Sequence, residues 1–336
     1  MAGTRRAAVV GAGAWGTALA KVLASDDRPV SLWTRSEQAA SWMSQSRESN
    51  KLPGVRLPEC VEVTHDIAAA VEDAELVLWA VPSQTLRATV ESARPYLAAD
   101  AAMVSATKGI ENDSLMLMTD VIADVLEGSA RDRCVALSGP SFASEVARGT
   151  PTYVVAASSC ASMSETMQDR FTTDRFRVYA GEDAVGVQIG GALKNVIAIA
   201  VGASDGLRFG ANTRAALITR GLAEVARMAH ALGGDPLTLA GLAGMGDMVL
   251  TCTGELSRNR TVGYELGRGK DLQMALDEIG HVAEGVRTAK SAFDLGRKYG
   301  VDLPICNAVY GVLYEDASPH EAVSELLGRR LRKEWG

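Results

Sequence analysis

The sequence predicts an α/β fold in two parts, a doubly wound, mainly parallel β-sheet in residues 1–181 and an all-α domain in residues 182–336. Up to about Gly181, short apolar strands alternate with helical periods, as in a parallel sheet covered by helices. Beyond that point only long helical periods follow. A glycine-rich turn directly after the first predicted strand adds a third observation, because ligands bind at the carboxyl ends of such strands.

The chain begins with a strand–turn–helix unit. Its parts are a strand (AAVV, 7–10), a glycine turn (GAGAWG, 11–16), a helix (TALAKVL, 17–23) and a second strand (PVSLW, 29–33). The three glycines Gly11, Gly13 and Gly16 allow a tight turn, a close approach of backbone to a pyrophosphate, and close helix packing. The unit therefore predicts a Rossmann-like domain that binds a dinucleotide.

The end of the second strand indicates which dinucleotide is bound. An acidic residue there would bind the ribose hydroxyls of NAD, but this chain has Thr34 and Arg35. An arginine at this place can pair with a 2′-phosphate, so NADP(H) is the preferred cofactor. Glu37 lies close enough in sequence to keep NAD(H) possible.

The other elements follow the same two patterns. Further strands are predicted at residues 61–63, 76–80, 103–105, 134–137, 152–156 and 176–179. Turn residues follow several of these strands, at 82–83, 107–109 and 139–141, where they either line a ligand crevice or close ordinary loops. In the second domain, helical periods cover residues 182–203, 213–232, 258–266, 286–299 and 319–327, separated in part by glycine-rich breaks.

Lys194 is the only charged residue between Asp183 and Asp205, in an otherwise helix-like and largely apolar segment. Burial lowers the pKa of a lysine toward working pH, and a carboxylate can hold it in place, for which Asp247 is the candidate. Such a lysine could donate a proton to a carbonyl oxygen during reduction. The alternative is a lysine that snorkels to water. Asn195 beside it either binds substrate hydroxyls or satisfies a buried turn.

Residues 241–260 combine a carboxylate, hydroxyls, an amide and arginines without a clean structural period. Asp247 is expected in a glycine-rich turn, with Thr251 after an apolar patch. Ser257, Arg258 and Asn259 stand at a predicted helix start, where backbone N–H groups, the helix dipole and an arginine favour a phosphate. A polar loop with an N-cap is the alternative.

Charge and cysteine content exclude several classes of protein. With 34 basic and 41 acidic residues among 336 and no basic block, nothing indicates a nucleic-acid or membrane surface. Five scattered cysteines without CxxC spacing and four isolated histidines argue against disulfides and metal sites. Arg5-Arg6 precede an apolar stretch like an export signal, but cleavage there would remove the glycine turn. No apolar run approaches the roughly 20 residues of a membrane helix. We expect a soluble, cytoplasmic protein.

Nearly from end to end, the chain resembles the family of bacterial NAD(P)-dependent glycerol-3-phosphate dehydrogenases. The stretches that carry the resemblance are GAGAWGTALA (11–20), ATKG (106–109), GPSFASEVARGTPT (139–152), ALKNVIAIA (192–200), DGLRFGANTRAALITRGLAE (205–224), GLAGMGDMVLTCTGELSRNR (241–260) and VAEGVRTA (282–289). The resemblance implies hydride transfer between NAD(P)H and dihydroxyacetone phosphate, giving the sn-glycerol 3-phosphate used in phospholipids. It also implies a homodimer.

The resemblance further implies a role for particular residues. Lys194 corresponds to the catalytic lysine of the family. The positions that correspond to substrate contacts are Lys108, Gly139, Ser141, Asp247, Ser257, Arg258 and Asn259, of which Arg258 and Asn259 would hold the phosphate. The positions that correspond to cofactor contacts are Ala14, Trp15, Arg35, Lys108, Ala143, Arg258, Val282 and Glu284.

Two other functions fit the same domain layout. One is a related dehydrogenase of another phosphorylated or carboxylated substrate, and the other is a catalytically inactive dinucleotide-binding redox sensor. The combination of Lys194, Asp247 and the 257–259 cluster argues against both, since a sensor needs no such lysine and another substrate would call for other residues.

Overall fold

A computed structural model describes residues 6–280 and 283–329. Its strands are, in chain order, β1 (Arg6–Val10), β2 (Val30–Trp33), β3 (Glu48–Ser49), β4 (Leu52–Arg56), β5 (Val61–Thr64), β6 (Ala74–Trp79), β7 (Ala102–Ser105), β8 (Cys134–Ser138), β9 (Thr152–Ala157) and β10 (Phe176–Gly181). All of the predicted strands are present, and none of the predicted bounds differs by more than two residues.

Eight of these strands form one sheet in the order β10-β9-β8-β7-β6-β1-β2-β5. Every neighbouring pair is parallel except β8 and β9. The chain runs outward from β1 to one side through β2 and to the other through β6, so the strand order reverses beside β1. A crevice at the carboxyl ends of the strands on either side of such a reversal is where α/β sheets bind ligands. The predicted doubly wound, mainly parallel sheet is confirmed.

The hairpin of β3 and β4 was not predicted. It pairs Ser49 with Leu52 and Glu48 with Arg56 outside the main sheet. Its second strand contains Pro53 and Gly54, residues that weaken a strand and argue against one in a sequence pattern.

The α-helices surround the sheet and then form the second part of the molecule. They are α1 (Ala14–Leu23), α2 (Glu37–Ser46), α3 (Ile67–Val71), α4 (Leu86–Ala93), α5 (Met118–Leu126), α6 (Ala143–Ala147), α7 (Ala161–Phe171), α8 (Ala184–Gly206), α9 (Gly210–Ala231), α10 (Asp247–Thr253), α11 (Arg258–Gly267), α12 (Leu272–Ile279), α13 (Glu284–Tyr299), α14 (Pro304–Tyr314) and α15 (Pro319–Gly328). The part of the chain described after β10 is helical, as predicted.

Side chains that alternate along the central strands build two cores, one on each face of the sheet. Val9 and Leu78 belong to one of them, whereas Val10 and Trp79 belong to the other. This alternation is expected of a parallel sheet that is buried on both faces. The sheet therefore holds the loops at its carboxyl edge on a rigid support.

The helical part is built around α8, whose residues from Gly186 to Ile199 are all buried. By length and composition α8 is the one described helix that could cross a membrane, but 83% of its most apolar window is buried in the protein. Its hydrophobic neighbours include Val225 of α9, Met248 of α10 and Val262 of α11. It is therefore the central helix of a protein core.

In the described chain after β10, three helices have no counterpart among the predicted helical periods, α10, α12 and α14. The expectation that Asp247 lies in a glycine-rich turn was wrong, because it is the first residue of α10 and follows a single π-helical turn, Leu242–Gly246. Glycines are poor helix formers in isolation, so the pattern indicated a turn. Packing against α8 overrides that preference, since the carbonyl of Ala243 lies against Gly190.

Candidate active site

The glycine turn after β1 has the geometry that a pyrophosphate requires. At Gly11 φ is +119°, and a Cβ there would lie 2.6 Å from the carbonyl oxygen of Ala80. A Cβ on Gly16 would lie 1.8 Å from the carbonyl oxygen of Gly11. By contrast, a Cβ on Gly13 would meet nothing within 4 Å, so the space in front of this residue is open.

Helix α1 starts at this open space, with Gly13 as its N-cap and no side-chain cap. The first N–H groups of a helix lack partners within the helix and favour an anion. Ala14 and Trp15 form its first turn, and the buried indole nitrogen of Trp15 has no hydrogen-bond partner among the described residues. The turn and the helix start therefore fit the pyrophosphate of a dinucleotide.

Arg35 lies two residues after the end of β2, the strand that neighbours β1. Its side chain is exposed, and the next residue, Ser36, caps α2 by accepting a hydrogen bond from the backbone N–H of Ala39. Glu37, also exposed, is the first residue of α2. No ion pair or side-chain hydrogen bond occupies Arg35 in the part of the chain that the structure describes, so its guanidinium is available to a ligand at this end of the sheet.

Two lysines share one buried carboxylate at the centre of the molecule. The ammonium of Lys194 on α8 lies 2.5 Å from Oδ1 of Asp247, and that of Lys108 lies 2.6 Å from Oδ2. Lys194 also donates to the hydroxyl of Thr251 at 2.7 Å, and Lys108 to the carbonyl of Gly139 at 3.2 Å. Asp247 is 1% exposed, so both of its oxygens are fixed by charged donors in a nearly dry environment.

This environment changes the acidity of Lys194. Burial lowers the pKa of Lys194 to about 8, helped by the positive charge of Lys108 and opposed by the carboxylate of Asp247. A lysine with such a pKa is partly neutral slightly above neutral pH, whereas a lysine in water is almost fully protonated there. The snorkelling alternative is wrong, because the side chain of Lys194 is 7% exposed and its ammonium binds Asp247 and Thr251.

Small residues on α8 allow the helix to carry Lys194 to this place. A Cβ on Gly190 would lie 2.5 Å from the carbonyl oxygen of Ala243, and one on Gly191 would lie 2.7 Å from the hydroxyl of Ser138. The helix thus lies directly against the π-helical turn and the end of β8. Lys194 follows one turn later and meets the first residue of α10.

A second network extends from the neighbouring residue, Asn195. Its amide oxygen accepts a hydrogen bond of 2.9 Å from Nδ2 of Asn259, and the amide oxygen of Asn259 accepts one of 2.9 Å from the backbone N–H of Gly285. Both asparagines are buried. They join α8, α11 and the start of α13, which places the beginning of α11 next to the lysine-bearing turn of α8.

Arg258 is the first residue of α11 and its side chain is exposed. Ser257 caps the helix, since its hydroxyl accepts a hydrogen bond from the N–H of Arg260. Arg260 in turn donates two hydrogen bonds to Asp205 on α8, at 3.0 and 2.7 Å. The first turn of α11 is therefore fixed, while the guanidinium of Arg258 stays accessible at a helix start that favours anions.

Glu284 connects α13 to the sheet. Its Oε2 accepts a hydrogen bond of 2.7 Å from the hydroxyl of Ser83, which follows β6. Burial raises the pKa of Glu284, although Ser83 and the nearby Arg258 act in the opposite direction. Gly109, with φ +155°, packs against Ser83, and a Cβ there would lie 2.5 Å from the Cβ of Ser83. The loops after β6 and β7 and the start of α13 thus meet at one place.

The other predicted residues lie around these groups or outside the described chain. Gly139 follows β8, and the hydroxyl of Ser141 donates to its carbonyl at 3.0 Å. Ala143 is the first residue of α6, which packs on α1. Val282 lies outside the described residues.

Sequence reasoning missed how Lys108 and Gly285 take part. Lys108 was expected in a turn that either lines the ligand crevice or closes a loop, and its substrate and cofactor roles came from the resemblance. Its ion pair with Asp247 spans 139 residues, so no local pattern indicates that contact. Gly285 contributes a backbone N–H, which any residue has. The one feature of the sequence that could have indicated Gly285 is its position, one residue after Glu284 at a helix start.

Comparisons with known proteins show the family to which the chain is similar. The family described as NAD-dependent glycerol-3-phosphate dehydrogenase matches with its N-terminal model over residues 6–164 and its C-terminal model over residues 183–324. The protein named glycerol-3-phosphate dehydrogenase [NAD(P)+] of Citrifermentans bemidjiense is 50% identical, over 97% of this chain and 98% of its own. That of Anaeromyxobacter sp. strain K is 48% identical, over 98% and 99%. The crystal structure of the glycerol-3-phosphate dehydrogenase of Coxiella burnetii superposes with a TM-score of 0.92 at 39% identity, covering 97% of this chain and 99% of that one.

Proposed function

The chain belongs to the NAD-dependent glycerol-3-phosphate dehydrogenase family, and from this premise we propose how its residues carry out the reaction. The enzyme transfers hydride reversibly between NAD(P)H and dihydroxyacetone phosphate, giving sn-glycerol 3-phosphate. The observation that carries the mechanism is the shared carboxylate of Asp247, which holds Lys194 and Lys108 together in a buried place.

Lys194 acts as the general acid in reduction. Its ammonium has three protons, and Asp247 and Thr251 accept two of them. The third is available to the ketone oxygen of the substrate. When bound, the nicotinamide cofactor supplies the hydride to the carbonyl carbon. Lys194 gives a proton to the oxygen as it becomes an alkoxide, and in the reverse direction it takes the proton back.

The neighbours of Lys194 hold it in position for this transfer. Asp247 and Thr251 act as positioning groups for its ammonium, and Lys108 adds positive charge beside the developing oxyanion. Gly139 and Ser141, at the end of β8, and Asn195 belong to the wall of the same substrate site. A preformed arrangement of this kind costs little reorganisation during the reaction.

The substrate phosphate binds at the start of α11. Arg258 supplies a planar two-point donor, and the helix start supplies backbone N–H groups. Ser257 and Asn259 flank it, and the hydrogen bonds of Asn259 to Asn195 and Gly285 keep the phosphate end in register with the lysine end. The site therefore selects a substrate with a phosphate and a carbonyl group at a fixed separation.

Residues at the carboxyl ends of β1 and β2 would hold the cofactor. The turn formed by Gly11, Gly13 and Gly16 with Ala14 and Trp15 would bind its pyrophosphate, and Arg35 would bind its adenosine end. Lys108, Ala143, Arg258, Val282 and Glu284 complete the proposed set of contacts. We assign residues 1–181 to the cofactor domain and 182–336 to the substrate domain, supported by the end of β10 at Gly181 and the start of α8 at Ala184.

Arg35 should determine the preference for NADP(H) over NAD(H). We expect Arg35→Gln to lower kcat/KM for NADPH about tenfold or more, because charge-assisted hydrogen bonds to a phosphate contribute about 1.5–3 kcal/mol. The kcat/KM for NADH, which lacks the 2′-phosphate, should fall by less than twofold. Steady-state rates with each cofactor measure the difference, with Arg56→Gln as a control at another exposed arginine. An equal loss for both cofactors would exclude this role.

The pH dependence should differ in sign between the two directions. The pKa of Lys194 lies near 8, so the lysine is protonated below this pH and neutral above it. Reduction needs the proton, and its kcat/KM should fall as pH rises through about 8. Oxidation needs the neutral amine, and its kcat/KM should rise through the same range and then level off. Profiles of both directions at fixed ionic strength test this, and parallel profiles would contradict it.

We also propose a cytoplasmic homodimer that supplies glycerol phosphate for phospholipids. Its five cysteines, free in the structure, suit a reducing compartment. The resemblance to the family supports the dimer and the metabolic role. Light scattering on the purified protein tests the dimer, and fractionation of the cells that produce it tests the location.

Oxidation of NADPH and NADH with dihydroxyacetone phosphate tests the reaction, with unphosphorylated dihydroxyacetone as the control. We expect oxidation that depends on the phosphate. Cofactor binding without turnover would favour a redox sensor, and turnover only with another phosphorylated or carboxylated carbonyl compound would favour a related dehydrogenase.

A further inference from the structure

A second concave site lies at the far end of α1. A cleft of about 280 Å³ opens between the last turn of α1, the end of α6 and the start of β10. Three basic side chains line it, those of Lys21, Arg148 and Arg175. At a rise of about 1.5 Å per residue, Lys21 lies roughly 10 Å along the helix from Ala14, on the other end from the glycine turn. The cleft is therefore separate from the cofactor turn.

Within residues 6–280 and 283–329, the three cations have no internal partner. Among the described residues, none of them forms an ion pair or a side-chain hydrogen bond, and Asp174, next to Arg175 in the chain, forms none with them. Other cations around the end of α1 are paired, since Arg170 contacts Glu75 at 3.6 Å and donates to the carbonyl of Leu23. Burial lowers the pKa of Lys21, and no carboxylate opposes it.

These three cations lie together in a chain whose net charge is negative, with 41 acidic and 34 basic residues. The helix dipole explains one of the three charges, because Lys21 lies in the last turn of α1, where a positive charge is stabilised. That effect falls off within one turn and does not account for the two exposed arginines, Arg148 and Arg175, that line the same cleft. Like charges held close together in a concavity repel each other unless an anion lies between them.

The chemistry of the lining indicates the kind of anion. Two guanidinium groups and an ammonium provide planar and point donors that suit phosphate oxygens. Ser25 and Thr173 add hydroxyl groups to the same lining. Ligand pockets for drug-sized molecules usually occupy about 300–1,000 Å³, so a cleft of this size suits a small ligand. We propose that the cleft formed by Lys21, Arg148 and Arg175 binds a small phosphorylated anion with at least two negative charges.

Binding of inorganic pyrophosphate, measured by titration calorimetry, tests the proposal. The full-length protein is first saturated with NADPH and glycerol 3-phosphate, a pair that cannot react because both are reduced. These ligands fill the anion sites of the active site. We expect saturable binding of one pyrophosphate per chain, and binding at least about tenfold weaker in the double variant Lys21→Met/Arg175→Gln, since two charge-assisted contacts are lost.

A matched control removes the same two residue types elsewhere. Arg297→Gln/Lys298→Met changes two exposed cations in the last turn of α13, outside the cleft, with the same change in net charge. It should bind pyrophosphate within twofold of the unaltered protein. Absence of saturable binding, or equal affinity in both double variants, would overturn the proposal.

A further arm distinguishes a soluble anion from a lipid headgroup that presents the same phosphate. Vesicles containing phosphatidic acid are sedimented with the NADPH- and glycerol 3-phosphate-saturated protein. We expect the protein to stay in the supernatant while pyrophosphate binds, because the cleft is concave. Sedimentation with the vesicles, lost in Lys21→Met/Arg175→Gln, combined with no binding of pyrophosphate, would overturn the assignment to a small soluble anion.

Discussion

Replacing Lys194 by alanine should lower kcat for reduction of dihydroxyacetone phosphate by about a hundredfold or more, since positioned general acids contribute about 10²–10⁴ in rate. The binding of NADPH should change little, because the ammonium of Lys194 contacts Asp247 and Thr251, neither of which is assigned to the cofactor. Stopped-flow measurement of NADPH oxidation gives the chemical rate, and calorimetric titration with NADPH gives the affinity.

The fold should survive this substitution. Removing one member of a buried ion pair is normally costly because it leaves a charge without a partner. Here Lys108 continues to contact Asp247 at 2.6 Å. Lys108→Met is the matched control, since it removes the other ammonium from the same carboxylate and leaves Lys194 in place. Its rate should fall by less than that of Lys194→Ala. Turnover near normal in Lys194→Ala would remove this lysine from the mechanism.

Replacing Arg258 by alanine should lower kcat/KM for dihydroxyacetone phosphate by about 10- to 150-fold. This range corresponds to the roughly 1.5–3 kcal/mol of charge-assisted hydrogen bonds at about 1.4 kcal/mol per tenfold change. Most of the loss should appear in KM, because the phosphate is held equally in the ground state and the transition state. Initial rates over a range of substrate concentrations separate the two parameters.

Unphosphorylated dihydroxyacetone distinguishes loss of phosphate binding from general damage. Its kcat/KM should change less than twofold in Arg258→Ala when the cofactor is saturating. Arg268→Ala, at an exposed arginine just beyond the end of the same helix, is the control for altered charge. If kcat/KM of Arg258→Ala falls equally with both substrates, the phosphate binds elsewhere.

The sequence predicted those parts of the site that depend on local patterns. Gly11, Gly13 and Gly16 sit between a strand and a helix, and the structure gives φ +119° at Gly11 and open space at Gly13. Lys194 was conspicuous because it is a lone charge in an apolar helix, and Asp247 was the carboxylate expected beside it. The contact of 2.5 Å between them confirms that prediction.

What the sequence did not reveal depends on contacts between distant segments. The pairing of Lys108 with Asp247 and of Ser83 with Glu284 follows from the way the helical part docks on the sheet. Helix α10 was missed for the same reason, since its preceding glycines become helical only where α8 packs against them. Local propensity is a weak guide wherever tertiary packing decides the conformation.

The close packing of α8 limits how this enzyme can be made more resistant to heat. Exchanging a glycine inside a helix for alanine is a common route to a higher melting temperature, at about 0.5–1 kcal/mol per site. At Gly190 and Gly191 an added methyl group would strike the carbonyl of Ala243 and the hydroxyl of Ser138. At Gly190 the clash is with backbone, so its relief would shift the helix and take Lys194 away from Asp247, whereas the hydroxyl of Ser138 can rotate away from a methyl group at Gly191. Thermostability and turnover therefore compete at Gly190, and stabilising substitutions belong in the outer helices.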